Sequence, residues 1–290
     1  MLSILAYPQL ILLLAPVLLR AIWALSRCAL LRLPAGVRAA ILLSFAMTPI
    51  VAIAVPYVPA LAEFLPVPWY PPIAWGVALW PDLTQTAPYM ISLGAMCAVV
   101  FIPPTTFVVL FVRALIGSRA LTRKLAITSH PAGFFFARGN NVACTVGLFR
   151  PRVLLSEDVW RGPHGAVVLR HEQTHARGRH PLVMLCARAM VTPWRWVPGA
   201  TAFLEDLHLA LEEHADECAQ RDYGRVRVAR ALTSQATTRL AVGVALGFGN
   251  ADTAERRLVA LATPHTPAPL RSAVALTITF IAALVWVMLL

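Results

Sequence analysis

The run His171-Glu172-Gln173-Thr174-His175 has the side chains and spacing to hold a metal ion and move a proton. On a helix, residues i and i+4 share one face, so both imidazoles reach a single Zn²⁺ while Glu172 faces a water held at the ion. That pattern suits a metallopeptidase. Two solvated histidines on a polar helix face would share the spacing, so context decides. Ala166-Val167-Val168-Leu169 is an apolar stretch suited to burying the start of such a helix, and Glu212-Glu213-His214-Ala215-Asp216 follows forty-one positions beyond His171. A catalytic zinc takes three protein ligands and leaves one position open, and His₂Glu is a known set. Glu212 can be the third ligand, with Asp216 one turn on to hold a ligand histidine through its second ring nitrogen. A merely solvated acidic face carries less weight in a chain with only 14 carboxylate side chains.

The elements that must position these residues lie in an apolar chain. Of 290 residues 58% are hydrophobic and 13% charged, with mean hydropathy +0.68, which excludes an ordinary soluble domain. Residues 3–19, 39–58, 89–112 and 273–290 are long enough to cross about 30 Å of hydrocarbon. The net charge of +11 is unevenly placed. Arg20, Arg27, Arg32 and Arg38 fill the link between the first two spans, none follows until Arg113, and the remaining twenty-one lie between Arg113 and Arg271. The positive-inside rule then puts both termini outside and the first link and the region 113–272 in the cytoplasm. A cleaved signal peptide is disfavoured because the charges follow the first apolar run. No nucleic-acid reading motif accompanies the basic charge, so direct nucleic-acid binding is not expected. The Pro-rich link 59–88, with Trp69, Tyr70, Trp75 and Trp80, suits a rigid segment with its rings at headgroup level, but an irregular loop without a binding role is the favoured reading.

His171, His175 and Glu212 share an ion only if the chain between them crosses the membrane an even number of times. Residues 182–204 contain Arg188, Arg195, Pro193, Pro198 and Gly199 and are too short for two crossings, so they read as a helix and an interfacial turn around Trp194-Arg195-Trp196. Residues 117–138 read as a basic linker. Residues 141–156 read as a hairpin around a Gly-containing turn, with an edge strand that can hold a substrate extended beside the zinc helix. Ser156-Glu157-Asp158 is a helix start leading to a helix near Val159. Residues 225–250 read as an amphipathic helix and an apolar stretch, and Ala254-Glu255-Arg256-Arg257-Leu258 as a short helix. Five cysteines without C-x-x-C spacing read as free thiols.

The order of spans, the Gly147-Leu148-Phe149-Arg150-Pro151-Arg152-Val153-Leu154-Leu155 hairpin, the run Leu169 to His175 and the Glu212 to Asp216 cluster resemble the BlaR/MecR-type membrane metallopeptidases, the beta-lactam sensor-transducers of bacteria. The resemblance covers nearly the whole chain. It implies an integral membrane protein, mainly α, of four transmembrane helices, with a gluzincin-like α/β zinc peptidase domain inserted between spans three and four. The corresponding parts are a membrane part at 1–112, a cytoplasmic peptidase domain at 113–272 and a fourth span at 273–290, in a bacterial inner membrane. It implies Zn²⁺ as the cofactor, His171, His175 and Glu212 as its ligands, Glu172 as catalytic base and Asp216 as the carboxylate that orients a ligand. The implied partner is a cytoplasmic protein substrate, such as a BlaI/MecI-like winged-helix repressor, beside membrane lipid. A homodimer is compatible with the sequence.

Two departures stand out. Where the family commonly has Asp after the second histidine, this chain has His180, either exposed or marking a weaker site, with a fourth-ligand role disfavoured. The family also continues past the fourth span into an external penicillin-binding domain, whereas this sequence ends at Leu290, so acylation by a beta-lactam is not expected of it. HtpX-type quality-control peptidases differ by extra spans between the zinc helix and the third ligand. The expected activity is zinc-dependent endoproteolysis, with His208, His214 and Tyr223 as candidate oxyanion helpers. A non-proteolytic membrane regulator or scaffold with a weakened zinc site is the alternative.

Overall fold

The computed structural model describes residues 8–54, 87–242 and 251–262. The expected fourth span, most of the Trp-bearing link and residues 243–250 lie outside the described residues. The described chain runs α1 (Pro8–Leu30), α2 (Ala35–Ala54), α3 (Ala87–Leu125), β1 (Ala126–His130), β2 (Phe134–Ala137), β3 (Ala143–Val146), β4 (Arg152–Leu155), α4 (Glu157–Arg161), α5 (Gly165–Arg177), α6 (His180–Val191), a 3₁₀ turn (Thr192–Trp194), α7 (Ala200–Tyr223), α8 (Arg225–Val242) and α9 (Ala251–Ala262).

The sheet has the order β1-β2-β4-β3, antiparallel except for the parallel pair β2-β4. The hairpin over 141–156 forms β3 and β4, with Cys144 opposite Leu154 and Val146 opposite Arg152. The supposed linker at 117–138 is different. α3 runs unbroken to Leu125, and residues 126–137 form a second hairpin whose Phe134 is 1% exposed. Phe134-Phe135-Phe136 is the β-prone signal there, an aromatic run that buries one face against α5. Ser156 stands at the start of α4 but gives it no side-chain cap. Its hydroxyl instead accepts from the Val142 amide at 2.9 Å and ties the two ends of the β3-β4 hairpin together.

α5 packs one side on the sheet through Val168 and Leu169, beside Phe134, Val153 and Leu155, and another on α7, α8 and α9 through Val167, beside Ala219, Val228, Leu232 and Leu261. α7 is the central helix. Its Leu207, Ala210 and Leu211 meet Leu42, Phe45 and Ala46 of α2 and Trp23 and Leu30 of α1 in one buried cluster. The front half of the second expected span is therefore covered by protein. Hydropathy marks apolar surface that must leave water, and a lipid tail or another helix satisfies it equally. Polar contacts fix the same seam. Arg27 donates two 2.8 Å bonds to Asp206, the Ala35 amide donates to Glu217, and Arg38, 4% exposed, pairs with buried Glu213. Gly199 opens α7 at φ +82°, and the Arg20 guanidinium occupies the space that a Cβ there would need. The first link thus shares one core with α6 and α7.

Within α3, Thr105–Leu125 is long and apolar enough to cross a membrane, and none of its most apolar window is buried. It is the one such helix among the described residues, with exposed Val108, Val109, Val112 and Ile116.

Candidate metal centre

α5 carries His171, Glu172 and His175 because its apolar positions, Val167, Val168 and Leu169, bury its first half and leave the next turn facing α7. α7 answers with Glu212 and Asp216, one turn apart. The imidazole Nε2 atoms of His171 and His175 lie 3.0 Å apart. Each is 3.4 Å from a different oxygen of Glu212. Tetrahedral zinc with bonds near 2.0–2.1 Å separates its ligand atoms by about 3.3 Å. Two ring nitrogens and a carboxylate, partly buried and converging at that separation, form a donor set that fits a divalent cation.

Asp216 sits behind His171, its Oδ1 2.9 Å from Nδ1. This contact holds one His171 proton on Nδ1 and turns Nε2 toward Glu212. Burial works against a charged His171, but the Asp216 carboxylate and Glu212 outweigh it and hold the metal-free ring up at about 10. Burial dominates at His175; the positive His171 and Arg257 add to it, outweighing Glu212, and bring its ring down to about 4. In the metal-free protein one proton therefore sits between these ligands, on the His171 side.

Arg257 of α9 completes the cluster. It donates to both Asp216 oxygens at 2.7 and 2.8 Å and meets Glu212 Oε2 at 2.9 Å. Burial opposes its charge, and Glu212, Asp216 and Glu172 together more than offset this. Burial likewise opposes ionisation of Glu212 and Asp216, but Arg257 and the histidines hold Glu212 well below the usual carboxylate range and lower Asp216. The sequence reading assigned no role to Arg257. One signal was available: Ala254, Arg257, Leu258 and Leu261 form one stripe of the short helix, so the arginine lies on its buried side.

Glu172 is 9% exposed, and the Thr145 hydroxyl lies 2.7 Å from its Oε2 and 2.9 Å from its backbone carbonyl. Thr145 belongs to β3, an edge of the sheet, so the same strand that flanks the site fixes the rotation of this carboxylate. No sequence signal distinguished Thr145 from other strand threonines. The Gln173 side chain donates to the Ala132 carbonyl at the tip of the β1-β2 hairpin and anchors that turn over α5.

Of the candidate helpers, His208 lies one turn ahead of Glu212 on α7. His214 lies between Gly36 of α2 and the His180 ring, 5.9 Å from the latter, and its Nδ1 is buried without a hydrogen-bond partner. Tyr223 packs in the apolar cluster of Val167, Ala219 and Leu261. His180 is not exposed. It is 6% accessible and its ring stands against His175. Among the described residues, Cys28, Cys144, Cys186 and Cys218 form no disulfide. Compared with known proteins, the chain matches no family model, no curated protein and no solved structure.

Proposed function

We propose that this protein is a membrane-embedded zinc metalloendopeptidase that hydrolyses peptide bonds of a cytoplasmic protein. The carrying observation is the convergence of His171, His175 and Glu212, at 3.0 to 3.4 Å, in the same turn of α5 that presents Glu172. Zinc, when bound, lowers the pKa of water and polarises a carbonyl. Glu172 takes the proton of the attacking water and returns it to the leaving amine. Thr145 holds the carboxylate in one rotation for both transfers. Asp216 and Arg257 keep the ligands aimed. β3 pairs an extended substrate along its outer edge, which places the scissile bond beside α5.

The membrane reading rests on composition, on the exposed apolar surface of α3 and on the placement of basic residues. The seam between the first link and α7 supports it in one respect: Arg27, Arg38 and the peptidase residues must lie on the same side of the bilayer, as the positive-inside rule assigns them. Four spans are the hydropathy reading, that rule orients them with both termini outside, and a bacterial inner membrane is what the resemblance implies. The resemblance to the BlaR/MecR type suggests regulatory proteolysis of a transcriptional repressor, in a signalling or antibiotic-response pathway.

The test is metal content and proteolysis of the detergent-purified full chain. One tightly held zinc per chain, lost in Glu212→Ala, and casein cleavage lost in Glu172→Gln with zinc retained, is the expected result. A folded, monodisperse preparation that takes no zinc when supplied with it sinks this reading in favour of a non-proteolytic membrane regulator.

A further inference from the structure

The two ligand histidines are held from behind by different chemistry. His171 has the Asp216 carboxylate at its Nδ1. His175 has a second imidazole: His180 Nδ1 lies 2.7 Å from His175 Nδ1, with the ring centroids 4.8 Å apart and the planes at 83°. An edge-on approach of that kind points one ring nitrogen at the other, as a hydrogen bond between neutral imidazoles requires.

The seat for His180 is built by the backbone. α5 stops at Arg177, Arg179 adopts the left-handed conformation at φ +48°, and the chain reverses so that the first residue of α6 folds back over the last turn of α5. A Cβ on Gly178 would lie 2.5 Å from His180 Nε2, so no other residue fits there while the ring is in place. The non-glycine left-handed residue is a strained choice, held here by the tertiary fit.

We propose that His180 is a positioning residue for the metal, a neutral counterpart of Asp216 that fixes the tautomer and orientation of His175. The inference rests on the metal-site reading above. Ligation through His175 Nε2 leaves the ring proton on Nδ1, where it is donated to His180 Nδ1, and the His180 proton then resides on Nε2. An uncharged acceptor orients the ring as a carboxylate does, but through a weaker hydrogen bond that pushes less electron density toward the ligating nitrogen. The site is thereby set to bind its ion less tightly than one with two carboxylates behind its histidines.

The experiment is zinc and cobalt binding to the full chain in detergent, read by competition with a chromophoric chelator and by the visible absorption of the cobalt form. His180→Ala weakens zinc binding by about 10- to 100-fold and alters the cobalt spectrum. His180→Asn, whose Oδ1 can take the acceptor position of Nδ1, stays within about 3-fold of the wild type, and His180→Asp binds about 10-fold more tightly than wild type. An unchanged affinity and cobalt spectrum in His180→Ala overturns the proposal. Equal losses in His180→Ala, His180→Asn and His180→Asp, all folded by size-exclusion profile, also overturn it, because packing alone would then account for the residue. A wild-type chain that binds neither ion removes the metal site itself, an outcome distinct from either.

Discussion

At the scale of single residues, the cluster at α5 and α7 is a set of charges that neutralise one another only in combination. Removing a member leaves the rest exposed to the cost of burial. In Arg257→Met, Asp216 and Glu212 lose their buried cation, and we expect a loss of about 3–5 kcal/mol in the metal-free protein, seen as a lower unfolding temperature. Added zinc should recover part of it, since its charge replaces the missing one. The histidines predict a pH effect of definite sign. His171 is raised to about 10 in the metal-free protein, above its unfolded value. Its contribution to metal-free stability is therefore fully present below about pH 6.5 and is lost as pH rises toward 10. Zinc must displace the same proton, so near pH 8 binding should release close to one proton per ion. Calorimetry in buffers of different ionisation enthalpy measures it, and zero release would contradict the proton placement.

At the scale of elements, α7 presents two functional faces. One offers Glu212 and Asp216 to α5, and the other takes Arg27, Arg38 and the Ala35 amide from the first link on Asp206, Glu213 and Glu217. Glu212 and Glu213 are adjacent, yet one faces the metal site and the other a buried arginine, because successive helical residues turn by about 100°. Arg38→Ala should cost about 3–5 kcal/mol, since Glu213 would be left charged and unpaired in the interior. Arg38→Met with Glu213→Leu should recover most of that loss in thermal unfolding. Should the double variant be as unstable as Arg38→Ala, packing of the link and not the unpaired charge sets the effect.

For the whole molecule, the described part of the chain is one packed unit whose core extends into the first two helices. Residues 113–262 produced alone should therefore aggregate, with Leu207, Ala210 and Leu211 of α7 uncovered. Co-production of residues 8–54 should restore a monodisperse complex, as measured by light scattering. A well-behaved fragment 113–262 would mean that the seam is dispensable. Membrane topology is tested by reporter fusions, which should report a cytoplasmic location at Arg32 and at Leu261 and an external one within residues 59–86.

The sequence by itself determined the local parts. H-E-x-x-H and Glu212-x-x-x-Asp216 are periodicities of four, and a helix converts them into shared faces without help from the rest of the chain. The β3-β4 hairpin was legible because its strands and turn are contiguous. Legibility ended where partners are far apart in the chain or where one signal has two physical meanings. Arg257 reaches Asp216 across 41 residues, and nothing in its own neighbourhood names that partner. Thr145 meets Glu172 because a sheet edge lies on α5, a fact of packing. Residues 117–138 look basic and turn-rich, yet 126–137 fold into a hairpin because Phe134 has a place in the core. The apolar run at 39–46 reads as lipid-facing, and only the position of α7 decides that its front half is covered by protein. His180, read as exposed or as a weak point, is buried against His175 because Arg179 turns left-handed. Spacing along a helix is fixed by backbone geometry, but the partner across an interface is fixed by how the elements pack.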